Sequence, residues 1–214
     1  MNDSPDVNTK TALLAAAIEV FADKGFDSAT VRDICGLAKA NVAAVNYHYG
    51  SKDGLYASVL EEIFPKGGEW QAKDRSAMPP EERLRLFVRG LTREIYLQGN
   101  RLITQKWAIF LREMAKPSHN LDIIVQHQVQ SRANELRDIL ADILGPDIPD
   151  RTLALCSANI WALILDHLLI QPILERLSPS RPNMDGSVES NIDAFVDHLV
   201  IFSLGGLQAV KKNT

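Results

Sequence analysis

The stretch Asn41-Val42-Ala43-Ala44-Val45-Asn46-Tyr47-His48-Tyr49 concentrates side chains suited to reading a surface rather than breaking a bond. Amides such as Asn41 and Asn46 can pair with an adenine edge, and the methyls of Ala43 and Ala44 can touch the methyl of thymine. Lys52, just beyond, offers an ammonium to phosphate. No arginine lies in this stretch, so a guanine contact must come from outside it, from Arg32 or Lys39. Arg32 equally suits an ion pair on a helix surface. Bond-making chemistry finds no comparable pattern. No glutamate is followed by histidine three residues on, and His48, His119, His127, His167 and His198 include no pair three or four apart. Cys-x-x-Cys, phosphate-loop, dinucleotide-loop and Gly-x-Ser-x-Gly patterns are absent. No catalytic residue, metal ligand or cofactor is expected, and an enzyme is the poorer alternative.

Reading the major groove of DNA requires a short helix presented on a firm support. Helical periodicity dominates the chain, and no stretch alternates long enough for a strand, which predicts an all-α fold. A first helix is expected over about 8–24, with Leu14, Ala17, Ile18 and Phe21 on one face and Gly25 as its stop. Thr30 opens a second helix with Asp33 in capping-box position, and Val31, Ile34, Cys35 and Ala38 form its buried face. The Thr30 hydroxyl serves either as that cap or as a phosphate contact. Asn41 caps a third helix that Gly50 ends. Within it Val42, Val45 and Tyr49 share the core-facing side, leaving Asn41, Ala43, Ala44, Asn46 and Tyr47 outward. Two short helices across a tight turn are a helix-turn-helix. Ser51 caps a fourth helix whose Leu55, Val59, Leu60 and Ile63 face inward until Pro65 closes it.

Residues 66–80 read as a flexible connection, and five longer helices are expected at about 81–98, 101–116, 120–144, 150–177 and 188–211. That makes about nine helices. A DNA-binding head over 1–52, linked through helix 51–64, would precede a helical body over 53–214.

The charge balance restricts how DNA could be held. With 23 Lys plus Arg against 27 Asp plus Glu the net charge is −4, which excludes a basic coat over the whole surface. Between Ser28 and Lys52, however, Arg32, Lys39 and Lys52 oppose Asp33 alone. Cys35 and Cys156 are too few for a disulfide framework, and the first ten residues lack an export signal, so a cytoplasmic location is expected. The apolar run from Leu153 to Leu174 is interrupted by Asn159, Asp166, His167 and Gln171, which suits a buried helix and not a membrane span.

The segment TVRDICGLAKANVAAVNYHYGSKDGLY, from Thr30 to Tyr56, resembles the DNA-binding head of the TetR family of bacterial transcription regulators. FADKGFDSAT, from Phe21 to Thr30, continues the likeness, which covers about residues 10–60. The ending Tyr47-His48-Tyr49-Gly50-Ser51-Lys52 matches the family's pattern of an aromatic, a small residue, serine and lysine. More faintly, Leu111-Arg112-Glu113-Met114-Ala115-Lys116-Pro117-Ser118 is similar to a segment in the branch with CecR-like C-terminal domains. The resemblance implies a repressor that a small-molecule effector releases from a palindromic double-stranded operator. It also implies a homodimer through the last two long helices, about 150–177 and 188–211; an activator or organiser that binds a protein is the alternative. Two positions depart from the family pattern. Lys39 stands where glycine is usual; a left-handed lysine there costs about 1 kcal/mol, tolerated or kept for a phosphate. Asn46 stands where tyrosine is commonest, so the phosphate contact passes to Tyr47 and His48.

In the body, Ile192, Phe195, Val196, Leu199, Phe202 and Leu207 exceed what one core-facing side needs, consistent with a shared face. An effector site that is mostly apolar with a few polar anchors would draw on Trp107, Phe110, Met114, His127 and Trp161, residues that ordinary core packing explains more readily. Glu113, with Arg112, would anchor a polar ligand group or form surface charges.

Overall fold

The computed structural model describes residues 5–66, 77–96, 101–177 and 191–213. Most of the expected connection 66–80, the break at Gly99-Asn100, the loop 178–186 and the expected start of the last helix at Val188 lie outside the described residues. Among the described residues all regular structure is helical: α1 (Pro5–Ser28), α2 (Val31–Ala38), α3 (Val42–Tyr49), α4 (Lys52–Ile63), α5 (Pro80–Tyr96), α6 (Arg101–Ala115), α7 (Leu121–Ile124), a π-helical turn (Val125–Val129), α8 (Gln130–Leu144), α9 (Asp150–Leu177) and α10 (Ile192–Asn213). Counting 121–144 as one, these are nine helices.

Two compact units emerge. The first holds α1–α4, α6, α7 and the π turn; the second holds α5, α8 from Arg132, α9 and α10. The compact units thus follow a different line from the expected division at 52, because α1 packs on α4 and α6 as well as on α2 and α3. This packing also widens the buried side of α1. Leu13, Ala16 and Val20 join Ala17, Ile18 and Phe21 in the core, while Leu14, expected inside, is half-buried. Phe21, Ile34, Val45, Leu55, Val59 and Leu60 have no exposure at all, and each such side chain contributes about 1.5–3 kcal/mol by leaving water.

The helix expected over 120–144 is helical throughout but widens at 125–129. The wider turn brings two consecutive residues to the C-terminal end of α4. His127 Nδ1 donates to the Phe64 carbonyl at 2.9 Å, and the Gln128 amide donates to the Pro65 carbonyl at 3.0 Å.

In the second unit Leu84, Phe87, Val88 and Leu91 of α5 are buried with Leu136, Ile139 and Leu140 of α8, Ile160 and Ile164 of α9, and Val196, Leu199 and Val200 of α10. The buried Tyr96 hydroxyl donates to the Ile164 carbonyl at 2.8 Å, and Arg132, largely buried, meets Glu94 at 2.7 Å. Among the described residues α10 is the one helix long and apolar enough to cross a membrane.

Candidate nucleic-acid interface

The interface is built from caps. Thr30 Oγ1 accepts the Asp33 N–H at 3.1 Å, and Asp33 Oδ2 accepts the Thr30 N–H at 3.1 Å and the Thr30 hydroxyl at 2.8 Å, so the capping box is complete. Lys24 Nζ stands 3.0 Å from the other Asp33 oxygen, tying α1 to α2. The lysine and the Thr30 donors hold the Asp33 carboxyl below its ordinary range. Thr30 is exposed at the start of α2 with its hydroxyl already engaged in the box.

The turn between α2 and α3 is a Schellman motif made without glycine. Lys39 adopts φ 52°, ψ 39°, the only positive φ at a non-glycine among the described residues. Its N–H reaches the Gly36 carbonyl at 3.4 Å and the Ala40 N–H reaches the Cys35 carbonyl at 3.0 Å, satisfying the end of α2. The side chain projects into solvent. Arg32 is likewise exposed.

Asn41 caps α3, its Oδ1 accepting the Ala43 N–H at 2.9 Å. Val45 anchors the helix with no exposure, and the Tyr49 hydroxyl donates to the Lys10 carbonyl at 2.8 Å, pinning the end of α3 to α1. Asn41, Ala43 and Asn46 are exposed, Ala44 is half-buried, and Tyr47 is 76% exposed. His48 is half-buried, its ring edge-on to Tyr47 at 4.9 Å. Val42, expected to face the core, is 44% exposed. It is the first residue of an eight-residue helix, and its turn overhangs the core that Val45 reaches. Val42 therefore joins the presented surface, as does Leu37 at 48% exposure. Periodicity leaves Leu37 off the buried face of α2 but places Val42 inside, because in so short a helix it does not say which turn overhangs.

Lys52 takes a different place from the other cations. Its Nζ lies over the Phe26 ring at 4.6 Å and 3.4 Å from the Asp27 carbonyl, turned back onto the end of α1.

The candidates for effector contact divide. Trp107 and Phe110 are buried in the first unit with ring centroids 5.2 Å apart; Phe110 is 6.4 Å from Phe64, whose carbonyl His127 holds. The buried Trp107 Nε1 has no hydrogen-bond partner among the described residues. Met114 is 46% exposed and Glu113 is 2% exposed, with both carboxylate oxygens engaged by protein donors. Trp161 belongs to the second unit, edge-on to Phe87 at 5.9 Å.

Known proteins share both the sequence and the architecture. Residues 13–59 match the model of the bacterial regulatory proteins of the tetR family, and residues 80–207 match that of the C-terminal domain of the HTH-type transcriptional dual regulator CecR. The chain is 31% identical over 180 residues to the HTH-type transcriptional dual regulator CecR of Shigella flexneri, covering 77% of this chain and 74% of that protein. It is 38% identical over 81 residues to the HTH-type transcriptional repressor NicS of Pseudomonas putida, a match that spans 37% of this chain and 38% of the relative. In fold it is similar to the crystal structure of HlyIIR, a hemolysin II transcriptional regulator, with a TM-score of 0.63 at 18% identity over 91% of this chain and 96% of that one. A helix-turn-helix with an exposed, doubly capped second helix, followed by a CecR-type C-terminal domain, places this chain in the TetR family of DNA-binding transcriptional regulators.

Proposed function

We propose that the protein is a homodimeric repressor that binds a pseudo-palindromic operator and is released by a small-molecule effector. The observation that carries the DNA-reading part is α3, firmly anchored by Val45 and Tyr49 yet presenting Val42, Ala43, Asn46 and Tyr47 to solvent. A helix rigid in its support and small or hydrogen-bonding on its outer face is what the major groove admits. In a dimer two such helices, about 34–36 Å apart, would enter successive major grooves. Phosphate contacts fall to Lys39, Arg32, Tyr47, His48 and the N-terminus of α2 at Thr30; a cytoplasmic location follows from this role.

Support for the dimer comes from α9. Leu155, Asn159, Ala162, Asp166, Leu169, Ile173 and Leu177 recur every three or four residues, and all are exposed. Beside this stripe Ile201 and Phe202 of α10 are 67% and 62% exposed, and a groove of about 430 Å³ runs between the helices, lined by Cys156, Ile160, Leu163, Phe202 and Leu207. A largely apolar stripe, interrupted by Asn159 and Asp166, beside the exposed Ile201 and Phe202 on the neighbouring helix supports an interface here. Support for the effector comes from the Trp107, Phe110 and Phe64 cluster, where the unpartnered Trp107 N–H offers one donor to an acceptor-bearing ligand. The ligand acts by binding one of two states more tightly than the other.

Gel-shift titration against the DNA upstream of the protein's own gene tests this. A sequence-preferring complex at moderate salt is expected, formed by a species that light scattering sizes as a dimer. Equal binding to scrambled DNA, or a stable monomer at micromolar concentration, would sink the corresponding half of the proposal.

A further inference from the structure

Two adjacent residues near the end of α6 each hold a different helix of the first unit. Arg112 donates through Nε to the Ala22 carbonyl at 3.1 Å and through Nη2 to the Asp23 carbonyl. These are among the last carbonyls of α1 before its break at Gly25 (φ 76°, ψ 169°), groups that a helix end leaves without partners along the chain. Glu113 turns the other way. Its Oε1 accepts the Tyr56 hydroxyl of α4 at 2.6 Å, and its Oε2 accepts the Ser118 N–H at 3.0 Å. A carboxylate 2% exposed is tolerated only with such donors, and removing one leaves a buried charge uncompensated. Tyr56 is itself wedged against Phe21 at 4.7 Å and Phe26 at 4.9 Å, and burial beside Glu113 raises its phenol pKa, so that it remains a donor.

The two helices held in this way are those against which the reading head packs. α1 lies against α2 and α3, and α4 lies against α3. We infer that Arg112 and Glu113 are positioning residues for DNA recognition: they fix α1 and α4 relative to each other and so set the direction in which α3 is presented. Both reach their partners because neighbouring residues on a helix diverge by about 100°, which lets one side chain serve α1 and the next serve α4. The inference rests on the regulator reading but names residues that reading does not require.

The test uses the full chain and a duplex that the wild-type protein selects from random-sequence DNA, with a scrambled duplex of equal length as reference. If the wild type enriches no sequence, the regulator reading fails and the inference, which rests on it, is overturned with it. With a selected duplex in hand, Glu113→Ala, Tyr56→Phe and Arg112→Ala are each measured at a temperature where thermal melting shows them folded. Each is expected to lose at least tenfold in affinity for the selected duplex, with less than threefold change on scrambled DNA and an unchanged salt slope. Arg112→Lys, which keeps a donor, should recover part of the loss. Equal losses on both duplexes, or losses that follow the unfolded fraction, would reduce the pair to a structural role and overturn the inference. Wild-type affinity in all three variants would overturn it as well.

Discussion

The Lys52 ammonium lies 4.6 Å over the Phe26 ring and 3.4 Å from the Asp27 carbonyl, so the cation that follows the recognition helix is directed to the end of α1. A cation over an aromatic face contributes about 0.5–1 kcal/mol at an exposed site. Lys52→Ala should therefore cost stability while changing DNA affinity less than threefold. Lys39→Ala should instead weaken binding across all sequences and reduce the salt slope by about one per head. Titration of both variants at several salt concentrations checks this, and a larger slope change for Lys52 would reverse the assignment.

Lys39 separates stability from function. Its left-handed backbone costs a lysine about 1 kcal/mol that glycine would not incur. Lys39→Gly is expected to raise the melting temperature by about 2–4 °C, given about that shift per kcal/mol for a chain of this size, while binding DNA as weakly as Lys39→Ala. If Lys39→Gly keeps full affinity, the ammonium has no part in binding.

Base reading should be confined to the outer face of α3. Asn46→Ala is expected to change the preferred base at one position of each half-site by about 1–3 kcal/mol while leaving affinity for scrambled DNA intact. Val42→Ala should relax a preference for thymine through lost methyl contact. Selection from randomised duplexes by each variant reads these outcomes. Asn41→Ala should mainly cost the cap, about 1 kcal/mol of stability.

Asp33 predicts an acid limb. Its carboxyl is held below the ordinary value by Lys24 and Thr30, so its contribution is present above the unfolded-state value near 3.8 and is lost as pH falls through the lower folded one. Asp33→Asn should make the decline in that window shallower than in the wild type, with Asp27, held low by Lys116, still contributing the remainder. Chemical denaturation at pH 5, 4 and 3 shows the difference directly, and parallel curves would contradict it.

Gly205 and Gly206 sit within α10, where a Cβ on either would meet nothing within 4 Å. Glycine inside a helix costs about 1 kcal/mol relative to alanine, and no neighbour among the described residues requires it here. Gly206 lines the α9–α10 groove beside Ser203, whose buried Oγ has no partner among the described residues. Gly205→Ala and Gly206→Ala should raise thermal stability of the protomer yet weaken dimerisation at least tenfold by sedimentation, because in the proposed dimer a second α10 would approach there. Gly36→Ala, equally open, is the matched control for helix propensity and should leave the dimer unchanged.

The amino-acid sequence by itself determined the reading head. Thr30 with Asp33, Asn41 with Ala43, Ser51 with Gly54, and the stops at Gly25 and Gly50 act through bonds spanning two to four residues, and they stand in the structure where their local chemistry puts them. Helix type and order followed for the same reason. Tertiary structure decided which side of each helix is covered and which polar groups are occupied. Periodicity placed Val42 inside and Leu14 at the core, yet α3 overhangs at its first turn and α1 is enclosed by four neighbours. Only the fold shows that the Glu113 Oε1 is occupied by Tyr56, 57 residues away in the chain, and that the Lys52 ammonium lies over Phe26. Such choices depend on side chains that only folding brings together, whereas a cap depends on a neighbour that the chain always supplies.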